Sequence, residues 1–397
     1  MAECKMNRFF TSCMGSMPRS SELMRARRLV AAGRMPPAEY EELVERQTAE
    51  VIAFQEDSGM DMVVSGELMR DNYVSFISDK IAGVTEMSMA EIMDYIEDKQ
   101  AFDEILNTLD VPAVSIKNAI CTDRLGYSGD IVLEELRMIK RHTKLPIKIT
   151  LPGPYLVTRS MWLAEVSTRG YASKEELGEA VLEIYRREIA ALLEEGVDLI
   201  QFDEPVLTEV VFTEGKTRTF MCASLSKRKD PTEELEFATH LIKTACGYID
   251  SPDTISSIHI CRGNWSKKEE ILLKGAYTPL IQLFADVSPD MLALEFSTPR
   301  AGELGAFLRD PRILDSDMIL GLGIINPRTN DVESVDSMVA RAREAADILG
   351  SDRIALNPDC GFATFSNRPV NSYDKIGEKL LNMSEAARRL RGIYDDK

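Results

Sequence analysis

Short apolar runs rich in β-branched residues alternate along this chain with longer amphipathic segments, the pattern of a parallel sheet with helical crossovers. Eight runs read as strands: Arg8–Ser12, Asp61–Ser65, Ile147–Leu151, Leu199–Asp203, Ser257–Cys261, Leu292–Phe296, Met318–Gly321 with its continuation LGII, and Arg353–Asn357. Between them, Tyr40–Ser58, Lys174–Glu194, Val335–Leu349 and Lys375–Leu390 place apolar residues near helical spacing. Eight such units predict an α/β fold of the closed (β/α)₈ TIM barrel type rather than an open sheet. Two stretches break the alternation. Val111–Asp130 sets β-type residues around a Gly-containing turn and predicts a β-hairpin insertion near residues 105–135. Glu209–Asp230 predicts a loop excursion or lid, a second insertion near residues 209–230. No low-complexity linker, internal repeat or break in composition interrupts the chain, so residues 1–397 are expected to form a single catalytic barrel domain.

Composition narrows the partners. The formal net charge of −18 disfavours nucleic acid and anionic membrane surfaces, which would be repelled. The opening MAECKMNRFF lacks the apolar core of a signal peptide, and no run of eighteen apolar residues occurs, so a cytoplasmic location with no membrane span is expected. The cysteines, seven in all, are odd in number and scattered, which points to burial or metal binding rather than a disulfide framework. Only three histidines are present, so a histidine-rich metal cage is excluded.

In an α/β barrel, functional groups sit where strands end and the following loops begin. Nearly every predicted strand here ends in a polar, Gly- or Pro-containing motif: GSMPR (15–19), SGELMRDN (65–72), PGP (152–154), FDEP (202–205), HICRGNW (259–265), EFSTPRAGE (295–303), NPRT (326–329) and NPDCGF (357–362). His259 and Cys261 are two apart on a strand and therefore share a face. Neutral imidazole and thiolate have the softness zinc prefers. Cys360 offers a second thiolate, and Glu295 a carboxylate at the end of an apolar strand. The expected set is thus His259, Cys261, Glu295 and Cys360, with Zn²⁺ as the cofactor. Without the glutamate, three ligands leave one open position, the arrangement of catalytic zinc. Each residue also has a plainer reading: a buried thiol packs as a small hydrophobe, and Glu295 pairs with Arg300. The convergence of all four on one end of different strands favours the metal. A sulfur-rich set favours activation of a thiol for alkyl transfer over hydrolysis.

At these motifs the sequence resembles the cobalamin-independent methionine synthase superfamily. GSMPR, SGELMRDN, QFDEP, the HIC segment, LEFS and NPDCGF follow the order of motifs in that family's catalytic barrel, over almost the whole chain. The resemblance implies a (β/α)₈ barrel, a catalytic zinc on the four residues above, and homocysteine bound to it through sulfur. It also implies that Glu67 and Asp203 hold the amino group, and that the segment Met14-Gly15-Ser16 meets the carboxylate. The residues agree: two carboxylates at strand ends suit an ammonium group, although Glu67 also has Arg70 to pair with, and Asp203 or Glu204 has a helix to cap. The family's catalytic histidine after the seventh strand is replaced by Arg328. A fixed cation stabilises an anion but shuttles no proton. Trp162 offers a flat face on which a folate donor would stack, or else a structural anchor.

With this resemblance, the expectation is methyl transfer to homocysteine, giving methionine in methionine biosynthesis, with Asp203 and Arg328 in catalytic roles. Gly15, Ser16, Glu67, Asp203, Arg70 and Arg262 are the expected substrate contacts. The donor is a methyl-folate, a methyl-corrinoid protein or another electrophile. A second expectation, from similarity to epoxyalkane:coenzyme M transferase, is a thiol alkyltransferase acting on coenzyme M. It draws on a basic set of Arg19, Arg70, Arg262, Arg300 and Arg328 that suits a carboxylate, sulfonate or phosphate. A third is a non-catalytic binding barrel with structural zinc.

Overall fold

The computed structural model describes residues 6–70, 74–95, 117–212, 230–263, 272–363 and 371–395. Eight strands lie among them. β1 (Ile81–Ser88) and β2 (Lys117–Tyr127) form an antiparallel pair apart from the main sheet. The other six run parallel in chain order: β3 (Lys148–Pro152), β4 (Leu199–Asp203), β5 (Ile255–Ile260), β6 (Met291–Glu295), β7 (Ile319–Ile325) and β8 (Ile354–Pro358). All residues of β3, β6 and β8 are buried, as expected of strands covered on both faces.

Two N-terminal segments fill the gap between β8 and β3. Parallel bridges join Thr11 to Leu356, Ser12 to Met62, and Val63 to Ile147. The amide of Ser12 donates to Leu356 O at 3.2 Å, Met62 N to Thr11 O at 3.1 Å, and Lys148 N to Val63 O at 3.0 Å. The ring of a TIM barrel is thereby completed. Both segments were predicted as full strands, and local chemistry shortens them. Phe9 adopts a left-handed backbone with φ 54°. The Asp61 carboxylate accepts from Thr11 N at 2.8 Å and Thr11 Oγ1 at 2.9 Å, taking over ladder bonds, and also holds Arg391 at 2.5 Å.

Inside the ring, Phe10, Met14, Met62, Leu199, Met291, Ala293 and Ala355 form an apolar plug. The outward faces join a larger core with the helices, including Ile200, Phe202, Ile258 and Leu292. Above the plug the inward positions turn polar. Register sets Gln201 beside Ser257 and Asp203 beside His259, then Glu295 beside Gly323. The C-terminal strand ends therefore carry the chemistry. Three of the helices begin on serine caps: the hydroxyls of Ser20, Ser173 and Ser334 accept from Leu23 N, Glu176 N and Ser337 N. The buried Glu188 carboxylate accepts from Val132 N at 2.7 Å and Leu133 N at 3.1 Å, at the start of the helix Leu133–His142.

The hairpin exists, but not as predicted. Of the stretch Val111–Asp130, Lys117–Tyr127 is one strand, paired with Ile81–Ser88 rather than with itself. The Gly-containing piece is a bulge, because Ala82 faces Gly126 while Val84 faces Cys121. Opposite it, Gly83 has φ +83°, and a Cβ there would stand 2.3 Å from Arg124 O, so only glycine fits. Residues 96–116 lie outside the described residues. So does most of the second expected insertion: the helix Val206–Phe212 is followed by 213–229, beyond description, before Asp230 caps the helix Pro231–Gly247. Among the described residues no helix is long and apolar enough to cross a membrane.

Candidate metal centre and substrate site

His259 stands in β5, Cys261 follows it, and Cys360 follows β8. Their ligand atoms lie within 4.8 Å of one another, and all three residues are buried. His259 Nδ1 pairs with Asp203 Oδ1 at 2.8 Å, and Nε2 lies 3.2 Å from the carbonyl oxygen of Asp359, the residue before Cys360. A carboxylate on one ring nitrogen fixes the tautomer and leaves the other for a metal.

The electrostatics of the three groups are mutual. Burial works against a charged His259, but the hydrogen bond and charge of Asp203 outweigh it and lift the imidazole to about 9. The hydrogen bond from Cys360 is the largest influence on Cys261 and lowers that thiol, with His259 adding to the effect against burial. Cys360 is raised well above the usual thiol value, by the same hydrogen bond and by burial. A divalent cation bound here would replace the protons on these groups, because imidazole and thiols ligate only when deprotonated. One nitrogen and two sulfur donors fit zinc, and they lack the oxygen donors that magnesium or calcium require.

Glu295, expected as the fourth ligand, lies outside this cluster. Its Oε2 accepts from Arg262 N at 3.1 Å and Arg300 Nη2 at 3.3 Å, and its Oε1 from Arg328 Nη1 at 3.2 Å. Arg262 Nη1 stands 3.6 Å from Oε2. Arg262 is itself fixed: its Nε and Nη2 donate to Gly275 O at 3.0 and 2.7 Å, and its guanidinium lies 3.8 Å from the Tyr277 ring centre. Arg328 reaches Asp359 Oδ2 at 3.5 Å. Burial and the charge of Glu295 push the Asp359 carboxyl up to about 6, while Arg328 and Ser297 pull the other way. Arg328 is thus a buried clamp on two carboxylates.

Glu67 and the Gly15–Ser16 turn, expected at the substrate, lie beside one another. Gly15 lies against Glu67 so closely that a Cβ would meet Glu67 Oε1 at 2.2 Å. Glu67 has φ 55°, a strained conformation for a residue with a side chain. Hydrogen bonds hold it there: Glu67 N donates to Ser65 Oγ at 2.9 Å, and Glu67 O accepts from Arg19 Nη2 at 2.7 Å. Thr150 Oγ1 donates to Glu67 Oε1 at 2.8 Å. Burial raises the Glu67 carboxyl, Arg70 opposes this, and Asp203 adds like charge. Two carboxylates that repel across a buried space suit an ammonium group. Ser16 is buried, and a Cβ on Gly361 would meet its Oγ at 2.1 Å, so the Gly15–Ser16 turn adjoins the Cys360 segment.

Other expected contacts are committed elsewhere. Arg70 is bound to Glu135 by Nε at 3.1 Å and Nη2 at 2.9 Å, with Glu67 Oε1 at 3.5 Å from Nη1. Asp203 is bound to His259 Nδ1 and Gln201 Nε2, whereas Glu204 accepts from Tyr155 N at 2.8 Å and Leu156 N at 3.0 Å, at the start of the helix Pro154–Met161. Trp162 ends that helix and is half-buried against the core. Sequence reasoning missed Gln201, whose Nε2 donates to Asp203 Oδ1 at 2.8 Å and Met14 O at 3.0 Å. Strand alternation contained the signal, since Gln201 is two residues before Asp203. It also missed Thr150 and Asp359.

Comparisons with known proteins bear on the family and the fold. A family model described as "Cobalamin-independent synthase, Catalytic domain" matches residues 9–389. The chain is 23% identical over 395 residues to the 5-methyltetrahydropteroyltriglutamate–homocysteine methyltransferase of Thermotoga petrophila, covering 99% of the chain and 46% of that protein. It therefore spans about half the length of this curated relative. It is 24% identical over 382 residues to the methionine synthase of Thermococcus kodakarensis, covering 96% of the chain and 93% of that protein. Among solved structures, a B12-independent methionine synthase from Shewanella sp. W3-18-1 in complex with selenomethionine is similar with a TM-score of 0.72 at 18% identity, covering 98% of this chain and 100% of that one. At that identity the likeness establishes the fold.

Proposed function

The chain belongs to the family of cobalamin-independent synthase catalytic domains, and from that premise we propose that it is a zinc-dependent methyltransferase that methylates homocysteine at sulfur to give methionine. The observation that carries this reading is the buried His259–Cys261–Cys360 cluster with Asp203 at its edge. Zinc held by these three side chains supplies stabilisation of an incoming thiol as its thiolate. The protein's own groups do the rest. Asp203 and Glu67 orient the ammonium group, and Gln201 links Asp203 to the Met14 carbonyl, tying the two halves of the amino-acid site. The Gly15–Ser16 turn receives the carboxylate. Arg328 holds Glu295 and Asp359 and neither gives nor takes a proton. Trp162 presents a face to a flat donor such as a methyl-folate.

The test is to load the purified protein with zinc, supply homocysteine or coenzyme M, and record sulfur coordination by X-ray absorption together with methionine formation from a methyl-folate. Homocysteine sulfur at the metal and methionine as product are expected. Coordination by coenzyme M alone would defeat the amino-acid reading, and a protein that takes up no zinc would defeat the metal reading.

A further inference from the structure

Resting on that reading, we infer that Lys148 supplies the positive charge that draws the carboxylate end of the amino-acid substrate onto the Gly15–Ser16 turn. Lys148 opens β3, paired in register with Leu199 of the interior plug, and it is 1% exposed. Its Nζ donates to Cys13 O at 2.8 Å and lies 3.4 Å from Gln201 Oε1. Both are neutral oxygens. The other buried lysines among the described residues each face a carboxylate, Lys174 with Glu234 and Lys379 with Glu333. A buried charge whose contacts are neutral is costly, and an anion arriving from outside the chain relieves that cost.

The charges around the site divide between the two ends of such a substrate. An α-amino acid carries an ammonium and a carboxylate on one carbon, and Glu67 and Asp203, which suit the first, repel the second. The arginines near the strand ends are turned to other groups. Arg70 faces Glu135 and Glu67, Arg262, Arg300 and Arg328 face Glu295, and Arg328 also reaches Asp359. Arg19 donates to the carbonyl oxygens of Ala363, Glu67 and Arg70. Lys148 instead lies against the start of the turn: it holds Cys13 O directly, and its neighbour Gln201 holds Met14 O at 3.0 Å. Burial pushes the Lys148 ammonium down to about 8, with Cys13 and Asp203 opposing, so it stays mainly charged at neutral pH. In a buried site such a charge acts over several residues' width without contact.

The experiment measures dissociation constants by calorimetry for zinc-loaded wild type, Lys148→Met and Lys148→Gln, with homocysteine and with 3-mercaptopropylamine, the same thiol without its carboxylate. Wild type is expected to prefer homocysteine. Both variants should shift the ratio of the two constants against homocysteine by about tenfold or more, with zinc content and 3-mercaptopropylamine binding unchanged. The glutamine keeps a donor for Cys13 O but carries no charge, so a wild-type ratio in Lys148→Gln overturns the inference and reduces Lys148 to a support of the turn. Equal loss of both thiols in the variants overturns it as well. Either result leaves the methyltransferase reading standing. Wild type that binds the two thiols equally overturns the inference and the carboxylate site together, and wild type that binds neither defeats the proposed function itself. If neither variant folds, a structure of wild type with homocysteine decides: a carboxylate nearer to Lys148 Nζ than to any arginine side chain supports the inference, and one nearer to an arginine refutes it.

Discussion

Replacing Asp203 with Asn separates two jobs that one carboxylate performs. Oδ1 accepts from both His259 Nδ1 and Gln201 Nε2 at 2.8 Å. An asparagine oxygen keeps both of these bonds, so the side chain stays in place and only the charge is lost. Toward the metal, the change weakens an outer partner of a ligating histidine, an effect of about 10- to 100-fold on affinity. Toward the substrate, it removes a charge-assisted hydrogen bond worth about 1.5–3 kcal/mol, or roughly 10- to 150-fold in binding at 1.4 kcal/mol per tenfold. Comparing homocysteine with 4-mercaptobutyrate, the same molecule without its amine, cancels the metal effect because both thiols see the same zinc. With saturating zinc, the ratio of their dissociation constants, measured by calorimetry, should shift against homocysteine by about 10-fold or more. A ratio within twofold of wild type would show that Asp203 acts only through His259 and touches no ammonium group.

Other outcomes follow from the same contacts. Cys261→Ser and Cys360→Ser should each lose zinc and methyl transfer while keeping the far-ultraviolet circular dichroism of the parent; stoichiometric zinc in either variant would strike that residue from the ligand set. Gly15→Ala places a Cβ 2.2 Å from Glu67 Oε1, so it should displace Glu67 and raise the homocysteine KM about tenfold or more by loss of a charged hydrogen bond, with zinc content unaltered; an unchanged KM contradicts the proposed amine site. Glu135→Ala strips Arg70 of its two shortest carboxylate contacts in the interior and should lower stability by about 3–5 kcal/mol in urea denaturation; a loss below about 1 kcal/mol would mean that Glu67 alone holds Arg70.

The second half of the barrel was legible because its strands are almost wholly buried and read as short, mainly apolar runs bounded by polar motifs. Leu199–Asp203 and the helix Val335–Leu349 were placed to the residue. The first two strands were not, because their shortening depends on Asp61 and on the backbone of Phe9, and neither leaves a periodic trace. The bulge in β2 misled for a related reason: a glycine flanked by polar residues looks the same in a turn and in a bulge. At the site, strand alternation revealed His259 and Cys261 together. It did not reveal that Glu295 faces three arginines, since those cations come from separate loops and meet only in three dimensions. Glu204 shows the same limit, capping a helix that precedes it in the chain by some distance.

The cluster joins His259 and Cys261 to Cys360, and the Cys360 segment to a turn near residue 15. It therefore draws on both extremes of the sequence, across the seam where Thr11 meets Leu356. No nascent fragment, and no partly folded intermediate with an open seam, possesses the site. Such long-range closure is entropically slow, so under the proposed metal reading metal capture would be the final event of maturation. A metal bound there would act as a latch on the seam, contributing its binding free energy to the closed ring.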